Sequence, residues 1–321
     1  MKLQTIGPVQ IVYDVKATII HLFKRLIHSP ALLTYILIGT GVSFWENGIH
    51  GIFTSIANII VLAAFAVLIR AMTEKQSAER PVFRRPKLEL LIGLALVMAL
   101  FFAIMLIFNL TSIPVIQPAV TQLISTLKLS AYSFGNHILP EWIARKTVNA
   151  IITIVIELIP TIILFVAFGY GPKAMGLIPC YWLLTGILIL CGVVMTPISG
   201  QPVLLFQQPI HQTLFIFLFD IFINGLPEEL LFRGLLLPRF ETIFKNPVNA
   251  LVVTSLIFNA IHIPSHISGG VGTATAIIGA FSISFPSGVL WGYLYQRSRS
   301  VIPGVLFHTS YSILGAYFFH L

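Results

Sequence analysis

Long apolar runs separated by short polar clusters dominate the chain. They fall at residues 31–45, 51–69, 88–110, 149–169, 177–197, 209–226, 248–263, 274–295 and 302–320. A helix needs about 20 apolar residues to cross a bilayer, so most of these runs read as membrane helices. Runs 31–45 and 248–263 are short and are expected to be tilted, broken or partly re-entrant. Ahead of them, Val12, Val15, Ile19, Phe23 and Leu26 share one helical face while Asp14, Thr18, His21, Lys24 and Arg25 share the other. That pattern suits a helix lying in the headgroup layer or, equally, an ordinary packed helix. The expected fold class is all-α, a polytopic integral membrane bundle with about eight or nine transmembrane helices.

Composition agrees. The chain is 57% hydrophobic and only 9% charged, against about 25% charged residues in soluble domains. A soluble enzyme, a nucleic-acid-binding module and a disordered protein are all poor fits. The net charge of +8 is not spread as a binding face; it clusters between apolar runs, most densely over residues 70–75 and 80–87. With the N-terminus inside, residues 70–87, Lys173, Arg239, Lys245, Arg297 and Arg299 all fall on the cytoplasmic side. The other side keeps only Lys128, Arg145 and Lys146, which satisfies the positive-inside bias. Asp14 and Lys16 interrupt the first apolar run, so no cleavable signal is expected. Cys180 and Cys191 lie in apolar stretches without metal or redox spacing and read as buried free thiols. Trp45, Trp142, Trp182 and Trp291 read as interface anchors.

An ionisable side chain at the bilayer centre costs at least about 2.5–3.5 kcal/mol, so the intramembrane ones are informative. They concentrate late in the chain: Asp220, Glu228, Glu229, Arg233, His262, His266 and His308. Gly225 and Pro227 are expected to break one helix and start another, placing Glu228 and Glu229 in a first turn where the dipole favours negative charge. Arg233 lies four residues after Glu229, so those two can pair along one face. Glu228 is turned about 100° away and remains available. The three could simply be an architectural ion network. His262 and His308, on two further apolar segments, make that less sufficient. A Glu with two His is the ligand set of a hydrolytic zinc site, and equally a set that deprotonates a water and polarises a carbonyl without metal. No HExxH occurs, only Asp14 and Asp220 are present for an aspartyl dyad, and Ser287 lacks a nucleophile-elbow context. Glu157, beside Pro160, reads as a helix-to-helix hydrogen-bonding residue, and Asp220 as a candidate supporting residue behind Glu228.

The residues Glu228-Glu229-Leu-Leu-Phe-Arg233, Phe258-Asn-Ala-Ile-His262 and His308-Thr-Ser-Tyr-Ser312 follow the order EExxxR, FxxxH and a last His motif. With the intervening Gly288, Trp291, Gly292, Arg297, Pro303 and Gly304, they resemble the CPBP family, the CAAX-protease and bacteriocin-processing (Abi) group of intramembrane proteases. The resemblance covers roughly 209–321. It implies a catalytic core over 201–321, preceded by family-variable transmembrane helices over 31–200 and, from the amphipathic pattern, an interfacial helix over 1–30. It further implies that Glu228 activates the water, that Glu229 and Arg233 support its geometry, and that His262 and His308 complete the site. Those two would act as polarising groups or, with Glu228, as ligands of a zinc ion. The position that is normally Asn or Asp in the last motif, where it stabilises the oxyanion, is Ser312 here.

The reading is an intramembrane endopeptidase, glutamic or metallo in type. Its substrate would be a membrane-associated peptide or protein in a bacterial plasma membrane, in peptide maturation or bacteriocin self-immunity, with the N-terminus cytoplasmic. Its partners would be the lipid bilayer and a peptide or protein substrate, with no nucleic acid. The alternative is a weakly active or inactive membrane scaffold regulating a partner protein, which the departure at Ser312 would suit. A transporter would place broken segments in both halves, whereas these charges are confined to one third.

Overall fold

The computed structural model describes residues 29–73, 81–112, 122, 151–179, 181–198, 210–268, 272–281 and 287–315. Every regular element among them is helical: α1 Pro30–Asn47, α2 Ile49–Thr73, α3 Pro86–Ser112, a π-helical turn Ile154–Leu158 leading into α4 Ile159–Ala167, and α5 Trp182–Ile198. A continuous helical path then runs from α6 Ile210–Asp220 through a π-turn Ile221–Gly225, the stretch Leu226–Glu228 and a π-helix Glu229–Leu236 into α7 Leu237–Phe244. The chain closes with α8 Pro247–Ala260, α9 Ile263–Ser268, α10 Thr273–Phe281, α11 Ser287–Ser298 and α12 Ile302–Gly315. The amphipathic stretch 9–28, Lys128, Trp142, Arg145, Lys146 and Cys180 lie outside the described residues; Cys191 is a half-buried free thiol in α5.

Local sequence explains the boundaries. Ser29 caps α1 by accepting from the Leu32 N–H, with Pro30 in the first turn, and Gly48 ends it at φ 58°, a left-handed value that glycine adopts without a Cβ clash. Asn246 caps α8, accepting from Val248 and Asn249 N–H, again with Pro at the first position. Hydroxyls inside apolar helices return to the carbonyl four residues back, as at Ser43, Ser55, Thr73, Thr254 and Ser255. This satisfies them where no water is present.

The chain is an integral membrane protein of helical type. Among the described residues, Ile49–Thr73, Pro86–Leu106 and Pro247–Ile267 are long and apolar enough to cross a bilayer; Pro30–Trp45, Ile151–Ala167 and Trp182–Cys191 are apolar but shorter. Two apolar runs are divided. Run 248–263 ends α8 at Ala260 and turns at residues 261–262 into α9. Run 274–295 comprises α10 and α11. Conversely, the break expected at Gly225 and Pro227 is absent. Gly225 is right-handed helical, and Leu226 donates to the Ile221 carbonyl five residues back. Pro227 has no N–H to offer, and the chain accommodates it by widening the turn, so Glu228 and Glu229 do not sit at a free helix N-terminus.

Leu230, Leu231, Phe232, Leu235, Leu236 and Leu237 are 0–1% exposed, which makes the path after Glu228 the axis of the molecule. It is packed by α3, α4, α8 and α11. Apolar helices in lipid associate through close packing, not through exclusion of water, and small residues sit at the tight contacts: a Cβ on Gly93 would lie 2.8 Å from the Leu236 side chain.

The loops expected on one side of the membrane do meet at one end of the bundle. The Arg84 N–H donates to the Tyr170 hydroxyl (2.8 Å), Val301 N–H to the Gly176 carbonyl (2.9 Å), Arg297 to Thr73 (3.0 Å) and Gln296 to the Pro247 carbonyl (2.8 Å). Two of the basic residues counted as loop charges are interior instead. Arg239 is fully buried, bonded to Glu89 (3.1 Å) and to the Gly234 and Leu235 carbonyls, with Phe83 against its face. Arg299 pairs with buried Glu241 at 2.7 Å. Glu89 also accepts from Tyr170, which ties residue 170 to the Arg239 pair.

Candidate active site

Glu229 is fully buried one residue beyond Glu228, and its Oε1 lies 3.0 Å from Arg233 Nη1 along the same helix. This is the pairing that the four-residue spacing anticipates. Arg233 is itself fully buried. It donates to the Gly288 carbonyl at 3.2 Å, and its guanidinium carbon lies 4.4 Å from the Phe258 ring centre and 5.4 Å from that of Trp291. The cation is thus held by a carboxylate, a carbonyl and two aromatic faces, which offsets much of its desolvation.

Glu228 is directed elsewhere. Its side chain is 12% exposed, with Oε1 3.8 Å from His262 Nε2 and Oε2 3.6 Å from His308 Nε2. Three separate helical segments therefore bring one carboxylate and two imidazoles together. His262 reaches this position from the turn at residues 261–262 that follows the 14-residue α8. His262 Nδ1 is 2.9 Å from the Phe258 carbonyl. A carbonyl only accepts, so Nδ1 carries the proton and neutral His262 turns a lone pair on Nε2 towards Glu228. His308 Nδ1 lies 3.2 Å from Glu229 Oε1, and its ring stacks on Trp291 with centres 3.8 Å apart and planes at 20°.

Trp291, read from the sequence as an interface anchor, is therefore interior and fixes the plane of a site histidine; it is 3% exposed, whereas Trp45 and Trp182 are 83% and 60% exposed. Gly304 is another residue that the charge pattern did not identify: a Cβ there would lie 2.8 Å from Glu229 Oε2. Asp220 is buried and accepts from Asn224 at 2.6 Å. Ser312 is one turn past His308 in α12, and its side chain lies outside the described residues.

The donor types are those of a hydrolytic zinc site, including imidazoles whose second nitrogen is tied to an acceptor. Their spacing is not. Each histidine meets a different oxygen of Glu228, and among the described residues no three His, Cys, Asp or Glu side chains group closely enough to hold a metal ion.

Comparison with known proteins bears on the same region. Residues 210–314 match the family model described as type II CAAX prenyl endopeptidase Rce1-like. No curated protein and no solved structure matches the chain. The matched segment runs from α6 into α12 and contains Glu228, Glu229, Arg233, His262 and His308. The C-terminal third of this chain is thus similar to the Rce1-like type II CAAX prenyl endopeptidases.

Proposed function

We propose that residues 201–321 are the catalytic core of an intramembrane endopeptidase in which Glu228 activates water to hydrolyse a peptide bond of a membrane-associated peptide or protein. The observation that carries this reading is the contrast between two adjacent acids. Glu229 is neutralised by Arg233 at 3.0 Å, while Glu228 has no cation paired to it along its own helix and faces two imidazole nitrogens.

The distance of 3.8 Å between Glu228 and His262 is too long for a direct hydrogen bond, and a water bridges such a gap readily. Glu228 takes one proton of that water while the His262 Nε2 lone pair orients the other. The oxygen bonds to the scissile carbonyl carbon and the carbonyl oxygen becomes an oxyanion. Both ring nitrogens of His308 face carboxylates. A neutral ring donates through only one nitrogen, whereas an imidazolium serves both and cancels the summed charge of Glu228, Glu229 and Arg233. Such a cation, with the Ser312 hydroxyl one turn along α12, supplies oxyanion stabilisation. Glu228 then returns its proton to the leaving amine as the C–N bond breaks. No step runs through a metal ion.

The family-level activity supports a CAAX-type substrate. The finer reading is a bacterial plasma membrane protease in peptide maturation or bacteriocin self-immunity. The test is cleavage of a peptide library in detergent by the wild type beside Glu228→Ala. Removal of a general base is expected to cost about 10²–10⁴-fold with the thermal unfolding transition retained. Equal residual turnover in the two proteins would identify a scaffold instead.

A further inference from the structure

Glu157 lies in an apolar span, 8% exposed, and its Oε1 has no hydrogen-bond partner; the hydroxyl of Thr161, four residues on and fully buried, also has none. Other threonines in these helices bond the carbonyl four residues back. Thr161 would need the carbonyl of Glu157, which belongs to the π-helical turn Ile154–Leu158. Unpartnered polar groups at this depth are costly, and π-turns recur at functional sites. This turn packs against both Leu226–Glu228 and Glu229–Leu236, so the three π-helical stretches of the described residues gather around Glu228.

We propose that Glu157, assisted by Thr161, is a substrate-positioning residue that accepts hydrogen bonds from backbone N–H groups flanking the scissile peptide bond. The assignment rests on the reading of Glu228 as the hydrolytic base. A peptide laid over Glu228 carries its own N–H groups into an apolar interior, where each needs an acceptor. Glu157 and Thr161 hold acceptor oxygens that the resting fold leaves unused. Arg233 does not meet this need, because a guanidinium only donates.

The test reads binding separately from cleavage. The full-length protein carrying Glu228→Gln is titrated in detergent with a fluorescein-labelled, farnesylated peptide ending in a CAAX sequence. A parallel series replaces, one at a time, each amide flanking the scissile bond by an ester, which removes its N–H. Adding Glu157→Leu is expected to weaken binding of the amide peptide about tenfold, the size of one net hydrogen bond. One ester peptide should lose the same factor on the parent and nothing more on Glu157→Leu, and Glu157→Gln, which keeps a carbonyl acceptor and the side-chain shape, should restore most of the affinity. Losses that multiply, unchanged binding by Glu157→Leu, no recovery in Glu157→Gln, or no binding of the amide peptide by the parent would each overturn the proposal. If Glu228→Gln alone still cleaved like the wild type, the hydrolase reading would fail instead.

Discussion

Two neighbouring glutamates in one helix have opposite fates because a turn of about 100° separates them. Glu229 is committed to Arg233 and His308, whereas Glu228 faces His262 and His308. Removing one partner of a buried pair strands the other charge, which costs about 3–5 kcal/mol. Arg233→Leu is therefore expected to lower the thermal unfolding transition sharply. The double variant Glu229→Gln, Arg233→Met should recover much of that stability and still be inactive, because His308 has lost the carboxylate at its Nδ1. Unfolding and turnover measured together check this, and a double variant as unstable as Arg233→Leu would contradict it. Metal chemistry is tested at the same scale. With the three donors meeting pairwise through Glu228, cleavage is expected to survive chelation and the purified protein to hold no stoichiometric zinc. Bound zinc that disappears in His262→Ala would reverse that expectation.

At the level of elements, the site depends on helices that do not follow the regular α pattern. The path from Ile210 to Phe244 takes two π-helical stretches around Pro227, and α8 ends early enough to set His262 opposite Glu228. α12 approaches closely because residue 304 is glycine. In Gly304→Ala the added carbon would lie 2.8 Å from Glu229 Oε2 and push on the carboxylate that orients His308. Overpacking of this kind costs about 1–3 kcal/mol, and a misplaced catalytic group can cost up to about 10²-fold in rate. The variant is expected to stay folded in detergent while its turnover falls by much more than its stability suggests; turnover equal to wild type would separate Gly304 from the site.

For the whole molecule, the meeting of residues 81–87, 168–178, 239–247 and 297–301 at one end supports a single sidedness for these loops. With that end cytoplasmic, cysteines introduced at Val82 and Lys173 in a cysteine-free background should react with an impermeant maleimide only after the membrane is opened. Asn47→Cys lies at the far end of α1, about 27 Å from Ser29 along an 18-residue helix, and should react from outside. Labelling of Val82 and Lys173 from opposite sides would break the topology; the mirror-image pattern would invert it. Two of the positive charges that suggested this orientation, Arg239 and Arg299, are satisfied inside the protein by Glu89 and Glu241. The exposed bias therefore rests on Arg84, Arg85, Lys87, Lys173 and Lys245.

Periodicity and composition alone determined the helical membrane class, because every lipid-facing backbone group must be bonded within its own segment. They also determined the Glu229–Arg233 pair, because a four-residue spacing is a local property of a helix. The three separated motifs could be read as belonging together. Their convergence could not: the contacts of Glu228 with His262 and His308 depend on where α8 stops and how closely α12 packs. Pro227 illustrates the limit, since its missing N–H is visible in the sequence but the remedy, a widened turn and not a break, requires support from neighbouring helices. Trp291 and Arg239 were misread for the same reason. A side chain's partner in a bundle is chosen by packing between helices that are distant in the chain, and hydropathy along one helix carries no record of that choice.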